Sequence, residues 1–453
     1  MDRSERKRRL ALRPQGEQVE ERLLLSTIPP VNRRHPYLRP LGVPAVRPNT
    51  PVLPFGATKV ASFLDPTAGI INGRHVMVGN KSFVGPYARL DASTGFIKIG
   101  TGSNVLDGAT LISNPSGASN PTTSILIGNF VSIGYGATVL GPSQIGAYGA
   151  QGKPTGVGPN ALIDSATIEP GAIVGPLARV GPGVTVPSGF YVHPGANVTS
   201  NAEASNPSLG KVSPITPTEA SELSKNLANN QALASGYAAL YQGDAATGAS
   251  PAFSPARKGV NFGNLAAVSG AGNEPGVTNG VSFGSASPVG PTFLAPQGQQ
   301  QPGLISTFRA RVTGAVTFHQ RAGDVAHSLG YGNSIRADQG QPFVFGSSLQ
   351  TGDFVVINAP LGSSASGSES GLTIYDGFVA EDRAVILGGP GARATIGGNV
   401  RVGSSAVLDR SSVGAGSTIG SRAYVANSNL PNFTQVPAGA IIINNVQVGI
   451  IQW

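Results

Sequence analysis

The stretch ILIGNFVSIGYGATVLGPSQIG, residues 125–146, places an aliphatic side chain at every sixth position: Ile127, Ile133, Val139 and Ile145. Six is neither the period of an amphipathic helix, about 3.6 residues, nor the alternation of a strand with one buried face. It is the period of a solenoid. Each unit supplies one short strand and one tight turn, three units close a triangular coil, and one aliphatic per unit points inward to stack on the next coil. Glycine follows three of the four positions, at Gly128, Gly134 and Gly146, and reads as the residue that supplies positive φ in the turns.

The same spacing extends outward in both directions. Upstream it runs through Val78, Val84 and Leu90, then Ile99, Val105 and Leu111, and downstream through Ile168, Val174, Val180 and Val186. A second region repeats it at Ile374, Ala380, Ile386, Ile396, Val402, Leu408, Val413, Ile419 and Val425. Between the two, Thr216-Pro217-Thr218-Glu219 is a capping box with proline at the first helical position. Leu223, Leu227, Leu233, Tyr237 and Leu240 or Tyr241 then recur at helical spacing, which predicts a helix over 216–243 with one apolar face for the solenoid flank. Residues 244–304, rich in Gly, Ser, Pro, Asn and Gln, read as a linker. The organisation is a basic arm over 1–55, a first solenoid over 56–215, its helix, the linker, and a second solenoid over 305–453. The second solenoid reaches Trp453 without a helix, so its last coil needs another cap, such as a partner.

Composition narrows the function classes. Of 453 residues, 63 are Gly and 36 Pro, with 12% charged and 6% aromatic, which excludes a mainly helical protein and fits a repetitive β architecture. The absence of cysteine excludes disulfide scaffolds, thiolate nucleophiles, iron–sulfur clusters and Cys-type zinc sites. The net charge of +8 is concentrated in residues 1–50, where eleven Lys/Arg face five Asp/Glu, so the body is nearly neutral and lacks the aromatic-interleaved basic surface of a nucleic-acid binder. No apolar run is long enough to span a bilayer. The arm has no signal-peptide core either, although EERLLLS at 20–26 resembles a leader motif of large bacterial surface and secreted proteins, an expectation of export that stands beside a cytoplasmic one.

Two segments carry a more specific likeness. SIRADQGQPFVFG at 334–346, and GNKSFVGPYARLDA at 79–92 as its counterpart in the first solenoid, resemble the Arg-x-Asp segment of γ-class carbonic anhydrases and the related domain of a carboxysome assembly protein. GYAALYQG at 236–243 resembles the end of the family's C-terminal helix. VPSG at 186–189 also matches VPAG at 436–439, so the two solenoids read as tandem copies. The resemblance implies a mainly β fold of two left-handed parallel β-helices built from hexapeptide repeats, the first capped by an α-helix. It also implies a homotrimer or intramolecular packing of the two copies, with Arg89, Asp91, Arg336 and Asp338 as interface framework.

In the family, three histidines from two adjacent subunits hold a zinc ion, which lowers the pKa of its water to about 7 for attack on carbon dioxide. The matching motifs lack them. NVLDGATLIS at 104–113 ends in Ser113, and IGYGATVLG at 133–141 carries Tyr135 and Leu140. The second copy has Asn358, Asp382 and Leu387. The family's glutamine–aspartate pair is split between Leu106-Asp107 and Gln350-Thr351. Ser and Leu do not hold zinc, so no zinc or other cofactor is expected, and the framework outlasts the metal site. A mixed set of Asp382 and Asn358 with a stray histidine suits a hard, oxygen-preferring cation better than zinc.

The five histidines offer no replacement set. His35 falls in the arm, His75 and His193 stand singly at coil and turn positions, and His319 and His327 are eight apart, a spacing of no known zinc motif. The reading is a trimer-forming structural or binding module. The alternatives are a carbonic anhydrase with recruited ligands and a hexapeptide-repeat acyltransferase using one of these histidines as base.

Overall fold

The computed structural model describes residues 62–65, 67–113, 124–148, 152–246, 292–294, 300–301, 310–314, 316–320, 322–337, 343–359, 371–389 and 394–453. The basic arm with His35 and EERLLLS, most of the linker, and Asp338 lie outside the described residues.

Strands mostly of two or three residues alternate with tight turns, and along the regular coils every third strand returns to the same sheet. Ile125–Ile127, Val131–Ile133 and Thr138–Leu140 fall in three different sheets, after which Ser143–Ile145 pairs in parallel with Ile125–Ile127, one coil later. The register joins like to like: Ile145 lies beside Ile127, Ile133 beside Val157, and Val139 beside Ile163, all of them 0–2% exposed. The first solenoid is three sheets of eight, seven and six strands, and the second has eight, eight and five. They are parallel throughout except for one strand at an end of the first solenoid's eight-stranded sheet and of each of the second's eight-stranded sheets. The fold is mainly β, two left-handed parallel β-helices, each with a hydrophobic cluster along its axis.

The glycines do something other than the sequence suggested. Positive φ at the turns is carried as often by Phe130, Tyr87, Leu177 or Asn160 as by glycine. Gly128 and Gly134 have no positive φ. A Cβ on Gly134 would sit 2.6 Å from the Val157 carbonyl oxygen, and one on Gly128 would sit 2.4 Å from the Ala147 nitrogen. Glycine after the inward aliphatic therefore lets one coil's backbone lie against the next. Gly146, with φ 70°, is the one of the three that fits the sequence reading.

The first solenoid ends in a short helix, Asn201–Ser205, and an antiparallel strand, Val212–Pro214, laid on Phe190–Val192. The long helix Pro217–Ala246 then runs back along the sheet that holds Phe63–Leu64, Phe83–Val84, Asn104–Val105 and Val131–Ile133. Its start is tied reciprocally: the Thr216 N–H donates to Glu219 Oε2 at 2.7 Å, and the Glu219 N–H to Thr216 Oγ1 at 3.3 Å. Leu227 and Leu233 are buried on the solenoid side. The second solenoid closes differently. Its last strand, Val446–Ile450, folds back antiparallel on Ala440–Ile443, and the tail that follows reaches the first solenoid, where Trp453 Nε1 donates to the Leu177 carbonyl at 2.7 Å. No described helix is long and apolar enough to cross a membrane.

Candidate functional site

The two solenoids meet along a turn edge of the first and a sheet face of the second. Arg336 Nε donates to Asp107 Oδ2 at 2.7 Å, Ser334 Oγ donates to the same oxygen at 2.6 Å, and the ion pair is 1% and 0% exposed at its side chains. Arg311 pairs with Asp65 at 3.2 Å one coil away, and Asn160 Nδ2 reaches the carbonyls of Arg383 and Ser405, both at 3.1 Å. Val356, Val385, Leu387, Val407 and Tyr424 of the second solenoid belong to the first solenoid's hydrophobic cluster. The contact is heterologous, since the surface on one side differs from the surface on the other.

Three of the sequence-derived ligand positions come together here. Tyr135 lies in the turn between Val131–Ile133 and Thr138–Leu140, while Asn358 and Leu387 end adjacent strands and are register partners. Asn358 Oδ1 accepts the Ala359 N–H at 2.7 Å, which fixes the amide, and its Nδ2 donates to the Tyr135 hydroxyl at 2.7 Å. All three residues are buried. This set does not fit zinc: the asparagine turns N–H rather than a lone pair toward the site, and leucine has no lone pair to give. Among the described residues no three His, Cys, Asp or Glu side chains are placed to hold a metal ion.

Strand register corrects three alignments made from sequence. Ile112, not Ser113, stands beside Leu140 and Asp91, as Asn358 stands beside Leu387 and Arg336. Counted from the inward Leu90 and Ile335, the counterpart of Arg336 is Asp91, and that of Arg89 is Ser334. Counted back from Leu111 and Ile357, Leu106-Asp107 matches Gly352-Asp353 rather than Gln350-Thr351. Arg89 accordingly pairs within its own strand, with Asp91 at 2.7 Å, and Gln350 is exposed. Asp382 Oδ1 accepts the Asp353 N–H at 2.8 Å, and Ser113 Oγ lies 3.5 Å from Thr94 Oγ1. No hydrogen bond among the described residues joins Asp382 to Ser113.

The described histidines are dispersed. His75 Nδ1 meets Asn72 at 2.8 Å and its ring lies 4.6 Å from that of Phe96, while His193 Nδ1 meets the Gly210 carbonyl at 3.0 Å. His319 and His327 are exposed.

Beside Tyr135 and Leu387 opens a cleft of about 300 Å³ between the first solenoid, the long helix and the second solenoid. Apart from Tyr135 and the helix-capping Glu219, its polar residues were not singled out from the sequence. Asp409, next to Leu387 in register, is held through both oxygens by Arg410 at 3.2 and 3.3 Å, and Arg410 also reaches Glu222 of the helix at 3.3 Å. Burial holds the Asp409 carboxyl above the usual range against the pull of Arg410. Burial first, then nearby carboxylates, push the Tyr191 and Tyr424 phenols up, so both are neutral at ordinary pH. The residues come from coils far apart in sequence, and no local motif marks them.

No protein-family model matches the chain. The carbonic anhydrase of Methanosarcina thermophila is 30% identical over 172 residues, covering 34% of this chain and 67% of that protein. A solved structure, a hexapeptide transferase family protein from Anaplasma phagocytophilum, is 20% identical with a TM-score of 0.26, covering 38% of this chain and 91% of its own. The identity to the Methanosarcina protein and the share of it that is spanned place this chain in that carbonic anhydrase's hexapeptide-repeat family.

Proposed function

We propose that the two solenoids are copies of one carbonic-anhydrase-like module, and that the zinc position between them has become a metal-free lock in a structural or binding module. The observation that carries this reading is the Asn358–Tyr135 hydrogen bond at 2.7 Å with Leu387 alongside, on positions where the family resemblance implies imidazoles. In this reading the pairing of solenoids within one chain stands in for contacts between subunits. On the same reading the buried Arg336–Asp107 pair sets the register of the two solenoids, since burying such a pair adds little stability over an apolar one. No cofactor takes part.

The test is bound metal per chain, read by elemental mass spectrometry on full-length protein purified without chelator and dialysed against trace zinc. The expected result is far less than one zinc per chain with no acceleration of carbon dioxide hydration. The triple substitution Tyr135→His, Asn358→His and Leu387→His is expected to bring zinc binding to one per chain. Stoichiometric zinc in the unsubstituted protein would overturn the reading and restore a zinc-dependent hydratase with other ligands.

A further inference from the structure

We infer that the cleft beside the Tyr135–Asn358 lock binds a neutral polyhydroxylated ligand of the sugar class. The inference rests on the metal-free reading of the adjoining position.

The guanidinium of the cleft is committed to carboxylates. Both oxygens of Asp409 lie on Arg410, the remaining Arg410 nitrogen reaches Glu222, and Glu219 Oε2 is taken by the N–H and hydroxyl of Thr216 at 2.7 and 2.8 Å. An anionic ligand thus finds no uncommitted guanidinium, only the exposed Lys225 at the rim. Glu219 is bound only by uncharged donors and Glu222 only through Oε1, so the second oxygen of each is left to accept from a ligand's hydroxyl groups, and putrescine as a probe reports whether a cation uses them instead.

The other groups that remain to receive a ligand are uncharged. Tyr424 of the second solenoid and Asn230 of the long helix are each 6% exposed, line the cleft, and form no side-chain hydrogen bond with another described residue; the Tyr191 hydroxyl forms none either. Their polar atoms keep contact with solvent in the cleft, and a ligand's hydroxyls can take the place of that water. Each of these groups both donates and accepts, as a hydroxyl does. Beside them Ile173 and Leu223, both partly exposed, offer apolar surface that suits the C–H face of a sugar ring. A volume of about 300 Å³ lies at the small end of ligand sites and admits one or two rings.

The experiment is titration calorimetry of the full-length protein with glucose, galactose, N-acetylglucosamine and maltose, with inorganic phosphate and putrescine as charged probes. Saturable binding of at least one sugar is expected, weakened about tenfold by Tyr424→Phe and by Asn230→Ala. Glu203→Gln, which lies outside the cleft, is expected to leave it unchanged. Tyr424→Phe removes only the hydroxyl, and an unshifted melting temperature shows that a lost signal is not lost folding. Binding of no sugar, binding insensitive to both substitutions, or phosphate or putrescine binding that Tyr424→Phe abolishes would each overturn the inference. Zinc measured on the same sample separates the two failures: a metal-free protein that ignores sugars sinks only the ligand class, whereas stoichiometric zinc sinks the reading beneath it.

Discussion

Gly134 stands where the backbone of one coil lies against that of the next. A methyl group there would press on the Val157 carbonyl and on the Gly158 carbon 2.7 Å away, both of them backbone atoms that cannot swing aside. Gly134→Ala is expected to cost about 1–3 kcal/mol, read as a lower midpoint in urea unfolding with an unchanged slope. An unchanged midpoint would mean that the coils spread freely at this point. The same residue shows what a sequence pattern conveys. Its place after Ile133 was legible because the inward aliphatic is fully buried and tolerates little else, but the reason for glycine was not, since a turn needing positive φ and a backbone needing room leave the same letter. Register was lost in a related way. Arg-x-Asp in two solenoids invites superposition as a string, whereas the fold counts from Leu90 and Ile335, and that count sets Arg336 against Asp91.

At the level of elements, caps are where the repeat pattern stops and other chemistry takes over. Glu203, in the short helix after the first solenoid, accepts from Lys211 Nζ at 2.6 Å and from the N–H and hydroxyl of Thr199 at 2.7 and 3.0 Å. The Lys211 bond first, then the Thr199 N–H, lowers its carboxyl from 4.5 to about 2. A carboxyl depressed in the folded state stabilises it above the unfolded value and loses that contribution as pH falls through the folded one. Thermal melts are therefore expected to show a decline between about pH 4.5 and 2 that is smaller in Glu203→Gln; identical acid limbs would remove Glu203 from the account. The helix cap at Thr216 and Glu219 was readable because both partners lie within four residues. The closing hairpin of the second solenoid was not. Its strand VQVGI at 446–450 abandons the six-residue period, and nothing local says on which strand it folds back.

For the molecule as a whole, the decisive pair is Asp107 with Arg336, 229 positions apart in the chain and buried at the junction of the solenoids. Asp107→Ala strips a buried guanidinium of its carboxylate and is expected to cost about 3–5 kcal/mol in urea unfolding, while Asp107→Leu with Arg336→Met is expected to recover most of the loss. Equal midpoints for Asp107→Ala and the unsubstituted protein would remove the pair from the interface energetics. Asp409, Tyr191, Tyr424 and Asn230 share the fate of this pair in sequence: coil stacking and the meeting of two solenoids bring them together, and neither leaves a trace in a short window.

The heterologous junction has a genetic consequence. In a ring of identical subunits one codon writes the same side chain into every contact, so a change on the edge is imposed on all interfaces at once. Here the edge residue Asp107 and the face residue Arg336 are encoded separately from Asp353 and Asp91, which hold the corresponding places in the opposite solenoid. A substitution on one side can be answered on the other with no echo elsewhere. Covalent linkage thus releases the two halves from mutual resemblance, and each is open to a separate course of inherited change.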